Sequence, residues 1–403
     1  MRSLKHVMLK TTAILALVVS LAGCKEDSDN PPVDTCAAKA GNNASHPKAA
    51  VYQAILDQYV QKGFPGLVLY VKTPKDGAWT GAAGKASIET DELMQPCNLI
   101  YSQSIGKTFT AVSVMKLVDA DKIDLDNLIR TYLPAAICDR IANANQATVQ
   151  QLLNNTSGIR SYTFEPEYDS ALRNRAQGMT TQKNLESVYD KPALFAPGTD
   201  FDYSNTNYLL LGMIIDRVTG ASHADFFTQR IFRPLGLTDM YYKNELRNNT
   251  PAGVHDTYGD VAGTGELENV TDIETRILST YYGEAGLLGL ASNYAKFVEA
   301  IFKGDLVSPA SRTAMTSSWV KMENSLSIDV YYGLGLMKRS TPYGYGIGHA
   351  GDGIGTASDM FYFPDSDITI VMETNKSLGM SLEDARLYRE ELWNEVVRVA
   401  LDR

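Results

Sequence analysis

The stretch Leu99-Ile-Tyr-Ser-Gln-Ser-Ile-Gly-Lys-Thr-Phe-Thr-Ala-Val-Ser-Val-Met-Lys-Leu-Val-Asp119 decides the fold. It begins as a short extended run, and from Lys107 its apolar residues recur at helical spacing, which predicts a buried helix over residues 107–119. Ser104 stands at the start of this helix, and Lys107 follows on the same face. Gly106 between them allows another segment to approach closely. A buried lysine can lose its proton and activate a serine hydroxyl, so this pair is a candidate for nucleophilic catalysis.

Context separates this pair from three others with the same Ser-x-x-Lys spacing. One lies in a polar leader, one inside a helix that is already running, and one in a polar stretch without apolar spacing; they are Ser45/Lys48, Ser113/Lys116 and Ser318/Lys321. Only Ser104 stands where a long apolar helix begins. A serine there also suits a plain helix N-cap, and the local pattern leaves both interpretations open.

Strands are predicted toward both ends of the chain, and helices between them. The predicted strands are residues 66–72, 79–86, 357–363 and 368–374, and the predicted helices are residues 51–60, 107–119, 206–218, 293–302 and 381–403. This order predicts one composite α/β (α+β) domain. Both ends of the chain would build a mostly antiparallel sheet, with a helical lobe inserted between them.

The first residues have the layout of an export signal. Basic residues precede an apolar run at residues 12–22, which is too short for a permanent membrane span. Leu21-Ala-Gly-Cys24 resembles the lipobox of bacterial lipoproteins, which implies cleavage before Cys24 and lipidation of its thiol; a plain signal peptide is the alternative. We expect a signal peptide at residues 1–23, a flexible tether at residues 24–47 and a folded domain at residues 48–403. The protein would be exported and lipid-anchored to the bacterial cell envelope, on its periplasmic face or surface.

Composition narrows the classes of function. Of 37 lysines and arginines, three lie in the leader, which leaves 34 basic against 47 acidic side chains and a net charge of −13. Such a surface repels nucleic acid, so no nucleic-acid partner is expected. The histidines and cysteines lack zinc-ligand spacing, so we expect no metal and no cofactor. With Cys24 lipidated, Cys36, Cys97 and Cys138 allow at most one disulfide, whose pairing stays open, as does the oligomeric state.

Ser104-Ile-Gly-Lys-Thr-Phe-Thr110 resembles the first motif of the serine β-lactamase and penicillin-binding protein superfamily. It is closest to the branch of class C β-lactamases, secreted serine D-alanyl-D-alanine carboxypeptidases, and related esterases and D-aminopeptidases. Further landmarks of that branch follow in the same order; they are Leu152-Leu-Asn-Asn-Thr-Ser-Gly-Ile159, Phe195-Ala-Pro-Gly-Thr-Asp-Phe-Asp-Tyr-Ser-Asn-Thr-Asn-Tyr208, Phe232-Arg-Pro-Leu-Gly-Leu-Thr-Asp-Met240, Gly283-Glu-Ala-Gly-Leu287 and Gly348-His-Ala-Gly351. The resemblance implies the β-lactamase/transpeptidase-like fold, an antiparallel sheet flanked by helices with an inserted helical lobe.

The resemblance also implies roles for the motif residues. Ser104 would attack the acyl carbonyl, and Lys107 would take or share its proton. Tyr203 would act beside Lys107 as a proton shuttle, as phenol or phenolate, and Asn205 would hold the substrate amide and the lysine ammonium. Another Tyr-x-Asn match, at residues 242–244, lacks the family's flanking sequence.

The third motif supplies the remaining site residues by the same resemblance. The backbone N–H groups of Ser104 and Asp352 would form the oxyanion hole, and His349 and Gly351 would line the substrate-binding edge. Ala350 departs from the family because it lacks the hydroxyl that helps to hold a substrate carboxylate. Asp352 also departs: a side chain pointing into the cleft would repel a carboxylate and favour an amine or a neutral group, whereas strand alternation could turn it toward solvent.

These observations lead to a serine hydrolase with a small acyl substrate, whether peptide, ester or β-lactam. The leading expectation is a D-alanyl-D-alanine carboxypeptidase-like peptidase that binds penicillin. An esterase or D-aminopeptidase of the same family is the alternative, followed by a class C-like β-lactamase. A non-catalytic binding lipoprotein is the alternative from a different class of function.

Overall fold

The structure, a computed structural model, describes Cys36, Ala40, residues 45–242 and residues 251–403. The expected signal peptide at residues 1–23, the lipidation site at Cys24 and most of the tether at residues 24–47 lie outside the described residues. Within the described part, no helix combines the length and apolar character needed to cross a membrane.

Antiparallel strands from both ends of the chain build the main sheet. The strands are β1 (Gly66–Thr73), β2 (Gly77–Ser87), β3 (Glu92–Leu93), β4 (Ile100–Tyr101), β5 (Met240–Tyr242), β6 (Tyr258–Gly259), β7 (Glu268–Asn269), β8 (Leu287–Gly289), β9 (Val320–Met322), β10 (Val330–Tyr332), β11 (Met337–Thr341), β12 (Gly344–Asp352), β13 (Ala357–Phe363) and β14 (Ile368–Thr374). Among the described residues, nine of them form one sheet in the order β3-β2-β1-β14-β13-β12-β11-β10-β9. The pairing of β1 with β14 joins the two ends, as the sequence predicts.

Helices cover both faces of the sheet and form the segment inserted between β4 and β9. They are α1 (Ala49–Gln61), α2 (Gly106–Val118), α3 (Ala135–Cys138), α4 (Val149–Leu153), α5 (Pro166–Arg173), α6 (Thr181–Glu186), α7 (Asn205–Thr219), α8 (His223–Phe227), α9 (Arg233–Leu235), α10 (Thr271–Leu278), α11 (Ala291–Lys303), α12 (Pro309–Ser317), α13 (Leu382–Arg386) and α14 (Trp393–Ala400). The expected fold class, an antiparallel sheet flanked by helices, is therefore confirmed.

Strand alternation divides the core between the two sheet faces. In β1, Leu67, Leu69 and Val71 pack with α1 and α14, whereas Val68 and Tyr70 belong to the core that contains α2, α7 and α11. Because successive side chains of a strand point to opposite faces, a strand covered on both sides must be apolar throughout. This explains why β1 has no polar stripe and why α2 is buried nearly all round.

The sequence pattern predicts only part of the fold, and it misses most of the short helices and strands of the inserted segment. The pattern misses strands β9 to β12, because β12 contains Gly344, Gly346, Gly348 and Gly351 and shows little apolar alternation. The predicted terminal helix at residues 381–403 is instead three consecutive segments, in which a π-helical stretch joins α13 to α14. The other predicted helices and strands agree with the structure to within two residues at each end.

The structure also settles the disulfide pairing. Cys36 bonds to Cys97, which lies 61 residues downstream, and Cys138 is free and buried. The bond ties the N-terminal side of the described fold to the segment before β4. Its loop closure restricts the unfolded chain, which stabilises the folded one.

Candidate active site

A turn between β4 and α2 places Ser104. Strand β4 pairs with β8, and the chain then makes one 3-10 turn at Gln103–Ile105 before α2 begins. Gln103 has a φ of 44°, a left-handed conformation that costs a residue with a side chain on the order of 1–3 kcal/mol. Its side-chain amide donates hydrogen bonds to Glu274 at 2.8 Å and Thr356 at 2.7 Å, which hold the turn in place. The residue before Ser104 is therefore held by hydrogen bonds to two other segments of the chain.

Lys107 lies next to the Ser104 hydroxyl, in the first turn of α2. Its Nζ atom is 3.1 Å from Ser104 Oγ and 2.5 Å from Asn205 Oδ1, and it donates to the Glu284 carbonyl at 3.3 Å. The lysine is fully buried, and burial lowers its pKa to about 7, although the Glu284 carboxylate acts in the opposite direction. A lysine with this pKa can act as a base near neutral pH.

Gly106 lets the lysine reach the turn at residues 283–287. A Cβ atom at Gly106 would lie 2.7 Å from the Cα atom of Ala285, closer than real Cβ contacts allow. The close approach predicted from the sequence is thereby confirmed. It brings the Glu284 carbonyl within hydrogen-bond distance of Lys107.

Asn205 begins α7 and bridges two sides of the site. Its Oδ1 atom accepts the hydrogen bond from Lys107, and its Nδ2 atom donates to Thr163 Oγ1 at 3.0 Å. Its backbone N–H donates to Ser161 at 3.0 Å. Because both the oxygen and the nitrogen of its amide are hydrogen-bonded, the side chain is held in one orientation, with the carboxamide oxygen directed at Lys107.

The phenol of Tyr203 lies beside the same lysine. Lys107 Nζ is 4.9 Å from the centre of the Tyr203 ring. Burial, and then the neighbouring Tyr332, raise the pKa of Tyr203 well above its usual value, although Ser104 acts in the opposite direction. The site therefore favours the phenol over the phenolate.

The register of β12 and β13 sets the direction of the Asp352 backbone. Gly353 N–H donates to the Thr356 carbonyl at 2.8 Å, and the next pair along the strands is Asp352 with Ala357. Antiparallel ladders alternate between bonded and non-bonded pairs, so the Asp352 N–H points away from β13.

This N–H faces an open edge of β12. Strand β11 pairs with β12 only as far as Gly348, so no strand of the described part pairs with the end of β12 on that side. A Cβ atom at Gly351 would meet the Ser102 carbonyl at 2.6 Å, which shows how closely the strand end packs on the turn that carries Ser104. Backbone N–H groups at the first turn of a helix also lack partners within the helix, as at Ser104. The two N–H groups suit an oxyanion hole.

His349 does not reach the cavity. The sequence predicts that it binds substrate, but its side chain is fully buried and is absent from the cavity lining. Its Nδ1 atom contacts the Ala350 carbonyl at 2.6 Å, and its Nε2 atom is 3.0 Å from the Tyr332 hydroxyl. Because a carbonyl only accepts, Nδ1 carries the proton. Burial, with Lys107 nearby, lowers the pKa of His349 to about 3, which favours the neutral ring near neutral pH.

A cavity of about 440 Å³ opens over Ser104. Tyr203, Asn205 and Asp352 line it together with Ser104, and strand alternation brings Ala350 to the same side as Asp352. Apolar side chains form most of the remaining wall, among them Phe164, Tyr281, Leu326, Ile328 and Met337. Lys107 and Gly351 lie behind this surface.

Sequence reasoning misses several residues that hold the site together. Glu284 lies inside a recognised motif but has no role assigned from it, and its carboxylate accepts hydrogen bonds from Tyr162 at 2.7 Å and the Tyr282 N–H at 2.9 Å. Thr163 and Arg389 carry no local signal, because their contacts with Asn205 and Asp352 cross 42 and 37 residues of chain.

The structure also explains two of the remaining Ser-x-x-Lys residues. Ser113 donates to the Phe109 carbonyl at 2.9 Å within α2, and Lys116 donates to the Leu306 carbonyl at 2.8 Å. Tyr242 of the second Tyr-x-Asn match contacts the His223 ring at 2.8 Å, away from Ser104. Among the described residues, no group of three or more histidine, cysteine or acidic side chains could hold a metal ion.

Comparison with known proteins extends this picture. The chain is 26% identical over 323 residues to Penicillin-binding protein 4* of Bacillus subtilis, which covers 76% of this chain and 67% of that protein. It is 29% identical over 211 residues to Protein flp of Staphylococcus aureus, but the match covers 49% of this chain and only 41% of that relative.

Solved structures share the fold over most of the chain. A D-stereospecific amidohydrolase from Streptomyces sp. superposes with a TM-score of 0.73 at 27% identity, covering 85% of this chain and 98% of that one. D-amino acid amidase from Ochrobactrum anthropi, complexed with D-phenylalanine, gives a TM-score of 0.76 at 24% identity over 88% and 99% of the two chains. Residues 52–392 match the family model described as Beta-lactamase, and the chain therefore belongs to this family of serine hydrolases.

Proposed function

We propose that the chain hydrolyses an acyl bond through a covalent acyl-enzyme on Ser104. The observation that carries the proposal is the 3.1 Å contact of Ser104 Oγ with Lys107 Nζ, in a site where burial lowers the lysine pKa to about 7. Near neutral pH, an unprotonated Lys107 accepts the hydroxyl proton while Ser104 attacks the substrate carbonyl. The N–H groups of Ser104 and Asp352 stabilise the oxyanion that forms.

Proton return completes the cycle in this proposal. Tyr203, protonated in its buried position, gives its proton to the leaving group as the acyl–leaving-group bond breaks, and the ammonium of Lys107 restores the phenol. A water molecule then attacks the ester of Ser104 and gives one proton to Lys107. That proton passes to Ser104 Oγ as the ester bond breaks, and the acid is released. Asn205 keeps the lysine amine directed at Ser104 throughout.

For the substrate, we propose an amide of a D-amino acid with a large apolar side chain. The apolar wall of the cavity, with Phe164, Tyr281 and Leu326, suits such a side chain. The similarity at 27% identity to a D-stereospecific amidohydrolase supports an amide bond and D stereochemistry. An esterase is a close variant, because the same acyl-enzyme forms from esters.

A D-alanyl-D-alanine carboxypeptidase-like peptidase is the second candidate. The similarity to Penicillin-binding protein 4* favours it. Ala350 lowers the support for it, because the side chain on the cavity side of β12 has no hydroxyl to hold a terminal carboxylate. A class C-like β-lactamase would need to hold the same kind of carboxylate.

The test compares D- and L-phenylalanine amide and penicillin on the purified chain and on Ser104→Ala. We expect hydrolysis of the D-amide at least about 10-fold faster than of the L-amide, and no turnover by Ser104→Ala. A lasting penicillin adduct in the intact mass without amide hydrolysis would favour the carboxypeptidase. Fast penicillin hydrolysis would favour a β-lactamase. If a panel of serine-directed acylating agents leaves Ser104 unlabelled, the chain is a non-catalytic binding protein.

We further propose that Cys24 carries lipid and anchors the exported chain to the cell envelope. The lipobox-like segment Leu21-Ala-Gly-Cys24 supports this. A metabolically incorporated fatty acid should label the wild-type chain and not Cys24→Ser, and equal labelling of both chains would exclude lipidation at this residue.

A further inference from the structure

We propose that the Asp352 carboxylate neutralises the positive charge of Arg389, so that this end of the cavity accepts a neutral group of the substrate and rejects a carboxylate. The inference rests on the proposed function, because it assumes that substrates occupy the cavity over Ser104. It narrows the substrate class to carboxamides and other uncharged groups at this position.

The contact between the two side chains is direct. Arg389 comes from the π-helical stretch before α14, and its Nη1 atom donates to Asp352 Oδ2 at 2.9 Å. Its Nη2 atom donates to the Gly351 carbonyl at 3.3 Å. Both side chains line the cavity, but Asp352 is 55% exposed and Arg389 only 14%. A substrate therefore meets the carboxylate before it meets the guanidinium.

A second ion pair behind the first removes any excess positive charge. Arg339 donates to Asp359 at 2.8 Å, and both side chains are buried. The Nε atom of Arg389 lies 3.8 Å from the same Asp359 carboxylate. Two guanidinium groups thus face two carboxylates. A carboxylate from the substrate would be a third negative charge against two positive ones, and it would lie beside the Asp352 carboxylate, which repels it.

A neutral carboxamide meets no such penalty. Asp352 Oδ2 is occupied by Arg389, which leaves Oδ1 to accept an N–H from the substrate. Ala350, on the same side of the strand, offers no hydroxyl to a carboxylate. Ala350 and Asp352, the two residues that depart from the family's third motif, therefore both favour an uncharged group of the substrate.

Binding measured in the Ser104→Ala background separates this inference from the proposed reaction. The ligands are the dipeptide D-Phe-D-Phe and its C-terminal carboxamide, which differ mainly in the terminal charge. Their dissociation constants are measured by calorimetry in the Ser104→Ala chain with and without Asp352→Asn. The matched control is Asp305→Asn, an exposed aspartate outside the cavity lining.

We expect the Ser104→Ala chain to bind the carboxamide at least about 10-fold more tightly than the acid, in line with the usual cost of one unpaired charge. Asp352→Asn should shift the ratio of the two dissociation constants in favour of the acid by about 10- to 100-fold, because the substitution removes the charge that pairs with Arg389. Adding Arg389→Gln should abolish that shift, and Asp305→Asn should leave the ratio unchanged.

Three results would overturn the inference. One is equal or tighter binding of the acid by the Ser104→Ala chain. This would point to an anion held by the Nε and Nη2 atoms of Arg339, which have no hydrogen-bond partner among the described residues. Another is a ratio that does not respond to Asp352→Asn. The third is binding of neither ligand by any variant. In contrast, charge-dependent binding without turnover by the wild-type chain would contradict only the proposed function.

Discussion

The carbonyl of Glu284 accepts a hydrogen bond from Lys107 Nζ at 3.3 Å, and the fully buried Glu284 carboxylate raises the pKa of the same lysine. Burial of Lys107 acts in the opposite direction and is the larger effect, so its pKa is lowered to about 7. The carboxylate is held by the Tyr162 hydroxyl and the Tyr282 N–H. One acid without an assigned role in the family motif thus adjusts the proposed base.

The first prediction concerns the pH dependence of activity. For a substrate without groups that titrate between about pH 5 and pH 9, kcat/KM should rise with pH through an apparent pKa near 7. Below that pH Lys107 is protonated and has no lone pair to accept the Ser104 proton. Initial rates across this range give the value, and a flat profile would show that Lys107 is not the base.

The second prediction removes the acid that opposes burial. Glu284→Gln should move the rising part of the kcat/KM profile to lower pH, because the lysine loses its neighbouring negative charge. The matched control is Glu186→Gln, an exposed residue on α6, for which the profile should not move. A thermal unfolding curve confirms that each variant folds. An unchanged or upward-shifted profile in folded Glu284→Gln would contradict this role.

The motifs could be predicted from the sequence because their signals are local. Helical spacing after Lys107 gives α2, and the predicted helix at residues 206–218 is α7, which ends at Gly220 with a φ of 68°. The supporting contacts could not be predicted, because Glu284 and Arg389 reach the site only through the tertiary fold. The burial of His349 results from its packing against other elements, and the residue pattern of its own strand does not predict that packing.

The third prediction concerns stability in acid. His349 has a folded pKa of about 3 against 6.5 unfolded, so between these values the unfolded chain binds more protons than the folded one. Stability contributed by the neutral ring is therefore present above about pH 6.5 and is lost as the pH falls toward 3.

Between pH 7 and pH 4.5 this loss should be about 3 kcal/mol of unfolding free energy. Urea unfolding of wild type and His349→Gln at both pH values measures it. The variant is expected to be less stable at pH 7 but to lose less stability on acidification, since glutamine takes up no proton. Parallel losses in the two chains would show that His349 does not titrate differently on folding.

The last prediction concerns the close contact that brings α2 to the Glu284 turn. Helix propensity alone favours alanine over glycine by about 1 kcal/mol, so propensity alone would make Gly106→Ala stabilising. The added Cβ atom, however, would lie 2.7 Å from the Ala285 Cα atom, and a backbone atom of the turn must move away. We expect Gly106→Ala to lower the free energy of unfolding by about 1–3 kcal/mol.

The same variant should lose at least about 10-fold in kcat with a smaller change in KM, because the displaced turn carries the Glu284 carbonyl away from Lys107. Gly379→Ala is the matched control, since a Cβ atom there meets nothing closer than 3.5 Å. If Gly106→Ala keeps full kcat while Gly379→Ala does too, then the lysine does not depend on this turn. In that event its orientation would rest on Ser104 and on Asn205, whose amide is fixed at both ends.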